Sequence, residues 1–155
     1  MSANVDLRIA DKEWEQIPNL EDRCVRAIEQ ALHNAGIDKA IELDLLLSND
    51  DELAALNEMW RGKSGATDVL SFPADPQELP FIGDIAIAIG IAQKDAEADG
   101  KTLEAHLSHL LIHGTLHLLG YDHRNDEEAA IMESLERDVM AELGYADPYS
   151  RIEQS

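Results

Sequence analysis

His113-Gly114-Thr115-Leu116-His117-Leu118-Leu119-Gly120-Tyr121-Asp122-His123 is the stretch around which the chain is organised. Two histidines four residues apart on a helix leave the same face on consecutive turns. The third follows a glycine able to end the helix and swing the chain back. That geometry predicts a metal site made of His113, His117 and His123. Three neutral imidazoles suit one zinc ion or a similar borderline ion, and three protein ligands leave a fourth position open, as catalytic sites do and closed structural sites do not.

Outward from this stretch, the helix bearing the first two ligands is predicted over about Thr102 to Leu119. Leu103, Leu107, Leu110, Leu111 and Leu118 form an apolar flank, with His106, His109, His113 and His117 in a stripe beside it. It is too apolar for a surface helix and is expected to lie across a sheet. Downstream, Asn125 and Glu128 cap a last helix that buries Ile131, Leu135, Val139 and Leu143 before Gly144, and a loosely held tail runs on from Asp147.

Upstream, Val5 to Ile9 alternates apolar and charged residues as a half-buried strand does, and Pro18 and Asn19 open a helix that Gly36 stops, with Asn19 as its cap. Ile41 to Leu47 reads as a second strand. Asn49 with Glu52 signals a helix burying Leu53, Leu56 and Trp60, whose end delivers Arg61 into the loop Gly62-Lys63-Ser64-Gly65. Thr67 to Phe72 is a third strand ended by Pro73, and Asp75 to Pro80 is a polar excursion. Gly83-Asp84 starts a fourth strand through Ile89, and Gly90 to Asp99 is a helix capped by Gly100. In the simplest topology the first three strands are parallel neighbours and the fourth returns antiparallel through the loop around Pro76. The expected fold is α+β: one domain over residues 1–155, with a mixed four-stranded sheet covered by helices and the metal site on a central helix and its following turn.

Composition sets the bounds. The length of 155 residues suffices for a real core, and 45% hydrophobic residues agree with a globular chain. No apolar run approaches bilayer length and Met1 to Lys12 mixes charges with apolar residues, so a cytoplasmic protein with no membrane contact is expected. Cys24 is the only cysteine, which excludes an internal disulfide and fits a small buried residue. With 12 basic and 32 acidic residues the net charge is −20, which excludes nucleic-acid binding over the whole surface. A local basic site is still possible: Arg61 and Lys63 face only Asp68 between Met59 and Pro73, and five of the six histidines fall between Thr102 and His123.

The ligand spacing is that of the long zinc signature of one metalloprotease class, but that class carries a glutamate base after the first histidine, where this chain has Gly114. The ligands remain while the base is gone. His109, one turn before His113, is an alternative ligand, although an i, i+4, i+8 row converges poorly on one tetrahedral centre. Asp122 either orients an imidazole or takes a proton, or is a turn residue.

The motif from His113 to His123 resembles the hallmark of the YbeY family, metal-dependent endoribonucleases of rRNA maturation. Trp60-Arg61-Gly62-Lys63, Thr67-Asp68-Val69-Leu70-Ser71-Phe72-Pro73, Gly83-Asp84-Ile85 and Met132 to Glu136 accompany it in the family's order. Trp60 stands where the family usually has tyrosine. The resemblance implies a zinc-type metallohydrolase that cuts single-stranded RNA, acts in small-subunit (16S) rRNA 3′-end maturation and ribosome quality control, and meets the ribosomal small subunit or an associated protein. It maps the family's important arginine onto Arg61, whose guanidinium suits the charge that builds on phosphate oxygens during cleavage. Lys63 is then a phosphate contact, and Thr67, Asp68 and Ser71 hold the loop or line the cleft. The competing readings are another metallohydrolase, a protease included, and a non-enzymatic ribosome assembly factor with a structural metal.

Overall fold

Alternation decides the strands. In β1 (Ala3–Ile9) and β2 (Ile41–Ser48) the odd-numbered apolar residues share one face, where Leu43, Leu45 and Leu47 are fully buried. In β4 (Phe81–Ala88) the run Ile85 to Ala88 is buried without alternation, the mark of a strand covered on both faces. The computed structural model describes residues 3–62 and 68–149, the side chain of Arg61 excepted.

The sheet order is β1-β2-β4-β3, with β3 spanning Val69–Pro73. β1 and β4 both run parallel to β2, whereas β3 pairs antiparallel with β4, Val69 opposite Ile87 and Pro73 opposite Gly83. This corrects the expected topology. The hairpin between the third and fourth strands is present, but the antiparallel member is β3, and β4 is inserted between it and β2. The reason is burial: β4 is apolar on both faces and needs neighbours on both sides, while the five-residue β3, partly exposed and ended by proline, suits an edge.

Two layers of helix cover the sheet. On the odd-numbered face, α1 (Leu20–Asn34), α4 (Leu103–Leu118) and α5 (Asp126–Glu142) share one core with the strands, built on Ile28, Leu32, Leu107, Leu111, Ile112 and Val139. On the other face, α2 (Asp50–Arg61) buries Leu53 against Leu70, Ala86 and Ala88. α3 (Ile89–Ala98) follows β4 directly, and the amide of Ile91 donates to Asp50 Oδ1 at 3.1 Å, so the start of α2 caps the start of α3. The excursion around Pro76 is one 3-10 turn, Pro76–Glu78, closed by a capping box between Asp75 and Glu78.

Three local expectations change. Asn19 occupies the cap position of α1 but has φ 55° and makes no side-chain capping hydrogen bond. Trp60 is 66% exposed, not buried: it borders an open cavity between the end of α2 and the sheet, and its indole leans on Phe72, ring centroids 6.0 Å apart. Ile131 is exposed as well, the buried stripe of α5 being Met132, Glu136, Val139 and Met140. Cys24 is fully buried, as expected.

Candidate metal centre

α4 lies over β3 and β4 and is flanked by α1, α3 and α5. Thr102 starts it, its hydroxyl accepting from the amide of Ala105 at 3.1 Å. Close approach to the sheet dictates residue 114. A Cβ there would stand 3.1 Å from Ser71 Oγ and 3.2 Å from two carbons of Ile85, so this position faces the sheet and has no room for the glutamate of the protease signature. At the other end Gly120 has φ 102°, donates to His117 O at 3.0 Å and is followed by Tyr121 donating to Leu116 O at 3.0 Å. These two bonds make a Schellman turn, which brings the chain back and carries His123 over the last turn of α4.

The result is a cluster. Ring nitrogens of His113, His117 and His123 all lie within 4.8 Å of one another, and the Nε2 atoms of His113 and His117 are 3.0 Å apart. On its far side, the Nδ1 of His113 meets Glu136 Oε2 at 2.9 Å. A carboxylate accepts only, so His113 carries its proton on Nδ1 and turns the lone pair of Nε2 into the cluster. His117 is shifted to lower pKa, by burial first and then by the neighbouring His113, which favours the neutral form a metal requires. Two imidazole nitrogens facing each other at this distance call for a proton or a cation between them, and the donor set fits a borderline divalent ion.

Sequence reading placed Glu136 at the end of the Met132 motif but gave it no role; it is completely buried on α5 among apolar residues. The same oxygen also meets His109 Nε2 at 2.9 Å, and its other oxygen accepts from the Tyr149 hydroxyl. Burial pushes this carboxyl up, but the hydrogen bonds from His109 and His113 and their charge outweigh it and hold its pKa at about 2. Burial and the adjoining Glu136 push the Tyr149 hydroxyl up in turn. The detectable signal was the acid itself, on the inward stripe of an otherwise amphipathic helix.

His109 is therefore engaged by Glu136 and is not in the three-histidine group. His106 lies apart from it, its Nε2 3.8 Å from Asp68 Oδ2. Asp122 turns its Oδ1 to its neighbour's backbone, accepting from the amide of His123 at 2.8 Å, a bond that lowers its pKa, and its nearest imidazole nitrogen is 3.9 Å away. The tail is held at its start, with Asp147 paired to Arg137 at 3.2 Å and Tyr149 on Glu136, which corrects the loose tail expected from Asp147. The Arg61 side chain, Lys63 and Thr67 lie outside the described residues, and Arg61 is placed only as the last residue of α2. A cavity of about 480 Å³ lies beside α2 between Trp60, Phe72, Arg8 and Asp84 and is lined by none of these histidines.

Residues 8–144 match the family model described as endoribonuclease YbeY. The chain belongs to the YbeY family. A YbeY endoribonuclease of Dichelobacter nodosus is 44% identical over 149 residues, 91% of this chain and 96% of the relative. One of Pseudomonas putida is 50% identical over 135 residues, 84% of this chain and 85% of the relative. Among solved structures, a solution structure from Thermotoga maritima aligns with TM-score 0.58 at 26% identity, covering 95% of this chain and 99% of that one. The YbeY match runs through both halves of the sheet and the whole histidine cluster, and it bears out the resemblance drawn from the motifs. Among the described residues no helix is long and apolar enough to cross a membrane.

Proposed function

We propose that this chain is a metal-dependent endoribonuclease in which His113, His117 and His123 hold one divalent ion, zinc by the softness of three imidazoles, and Arg61 clamps the phosphate being cleaved. The observation that carries this reading is the convergence of three imidazole nitrogens within 4.8 Å, one of them oriented by a buried carboxylate, in a chain of the YbeY family. An ion bound there supplies a Lewis acid and a water acidified to near neutral.

The residues supply the rest. Glu136 fixes the tautomer of His113, and the Schellman turn at Gly120 sets the reach of His123. Arg61 takes the charge developing on the non-bridging oxygens through two parallel hydrogen bonds. The substrate is single-stranded RNA, and the biological target is the 3′ end of small-subunit rRNA, as the family's role indicates. A surface of net charge −20 recruits RNA poorly, so a ribosomal partner delivers the substrate.

The test is cleavage of a labelled single-stranded RNA by zinc-loaded protein, beside chelator-treated, His117→Ala and Arg61→Ala samples. Cutting is expected in the first sample alone. Cutting that persists in all four would overturn the assigned site, and loss with His117→Ala but not Arg61→Ala would remove Arg61 from the mechanism.

A further inference from the structure

His106 is the odd member of the histidine stripe. It is 7% exposed, and neither ring nitrogen has a hydrogen-bond partner among the described residues. An imidazole that always carries at least one N–H donor is costly to bury in that state, by about 1–3 kcal/mol for the unpaired group. Its Nε2 faces Asp68 Oδ2 at 3.8 Å, too long for a hydrogen bond.

Asp68 does not stand alone. One carboxylate oxygen of Asp68, one of Asp95 and one nitrogen of His106 all lie within 4.8 Å of one another. Among the described residues no lysine or arginine pairs with either acid. Two facing carboxylates need a proton or a cation between them. Burial raises Asp68 while His106 and Asp95 more than offset it, and Asp95 is raised by burial and then by Asp68. Ligands bound at about 2.1 Å to a common centre are about 3.4 Å apart in a tetrahedron and about 4.2 Å apart when opposite each other, a range that contains the observed 3.8 Å.

We propose that Asp68, Asp95 and His106 form a second cation site, which takes a divalent transition-metal ion of the manganese class. Two carboxylate oxygens and one imidazole are harder donors than three imidazoles, which separates this site chemically from the three-histidine cluster. Position separates them as well. His106 and His113 are seven residues apart on α4, about 10 Å along the helix, far beyond the 3.5–4 Å or so of a paired-ion centre. The ion therefore ties elements together. Asp68 immediately precedes β3, Asp95 is on α3 and His106 is on the first turns of α4, so one ion joins three separate elements.

The experiment uses the full chain, stripped by chelator, reloaded with one equivalent of Zn²⁺ and titrated with Mn²⁺ followed by its electron paramagnetic resonance signal. One saturable Mn²⁺ per chain is expected, retained when His113→Ala and His117→Ala are combined and weakened about tenfold or more in Asp95→Asn and Asp68→Asn. Asp95 is only partly buried, so its variant is expected to fold; the melting temperature is a second readout, rising with Mn²⁺ in the wild type and not in Asp95→Asn. No saturable Mn²⁺, or binding and melting shifts equal in wild type and Asp95→Asn, would overturn the site and assign any bound ion to the acidic surface at large.

Discussion

Glu136 gathers two imidazoles and a phenol around one buried carboxylate. Replacing it by glutamine keeps the shape but removes the full negative charge and one acceptor oxygen, so His113 loses the bond that fixes its tautomer. Glu136→Gln is expected to weaken zinc binding about 10–100-fold, read by competition with a chromogenic chelator. Equal zinc affinity in variant and wild type would show that His113 needs no such support. The same group sets an acid limit. Its folded pKa of about 2 lies below the ordinary 4.5, so its stabilisation is complete above pH 4.5 and is lost as pH falls toward 2. Urea midpoints measured from pH 6 to pH 3 should fall for the wild type and fall less steeply for Glu136→Gln. None of this was legible locally, because the partners of Glu136 lie on other elements, at His109, His113 and Tyr149. The three-histidine cluster was legible because helix periodicity and one glycine turn bring His113, His117 and His123 together without any knowledge of the tertiary fold.

At the scale of elements, the contact between α4 and the sheet explains the missing base. Gly114 allows the backbone of α4 to settle on Ser71 and Ile85, and a glutamate there would enter the sheet layer. Gly114→Glu is therefore expected to destabilise the fold by more than about 1–3 kcal/mol and to confer no casein hydrolysis, checked by thermal melting and a digestion assay. A variant that melts like the wild type would show that position 114 has space. The strand order was less legible than the strands. Alternation in β1 and β2 and the unbroken apolar run of β4 identify each element, but nothing local to Pro76 says that β4 inserts beside β2. Trp60 misled for a related reason: helical spacing places it on the buried stripe, while an open cavity lies between that turn and the sheet.

At the scale of the molecule, charge opposes the substrate. A chain of −20 with few cationic contacts should bind single-stranded RNA weakly, with affinity falling as salt rises by a logarithmic slope of about −0.7 per phosphate contact. Filter binding from low to moderate salt checks this, and a tight, salt-insensitive complex would contradict it. The core offers its own probe. Burial, reinforced by Glu21, pushes the Cys24 thiol up to about 12, and its side chain is wholly enclosed on the inner face of α1. A thiol reagent at pH 8 is expected to label it only after unfolding, so that labelling follows the urea transition. Labelling of the native chain would reveal local opening of α1.

Tyr149 closes the charge network from near the end of the described chain. During synthesis, then, the clustered histidines appear before the groups that finish their surroundings: His113, His117 and His123 are made before Glu136, and Glu136 before Tyr149. A nascent chain stalled before residue 149 would present the imidazoles with Glu136 still lacking its phenol. The surroundings of the centre are therefore complete only once residue 149 has been made and has folded back onto Glu136.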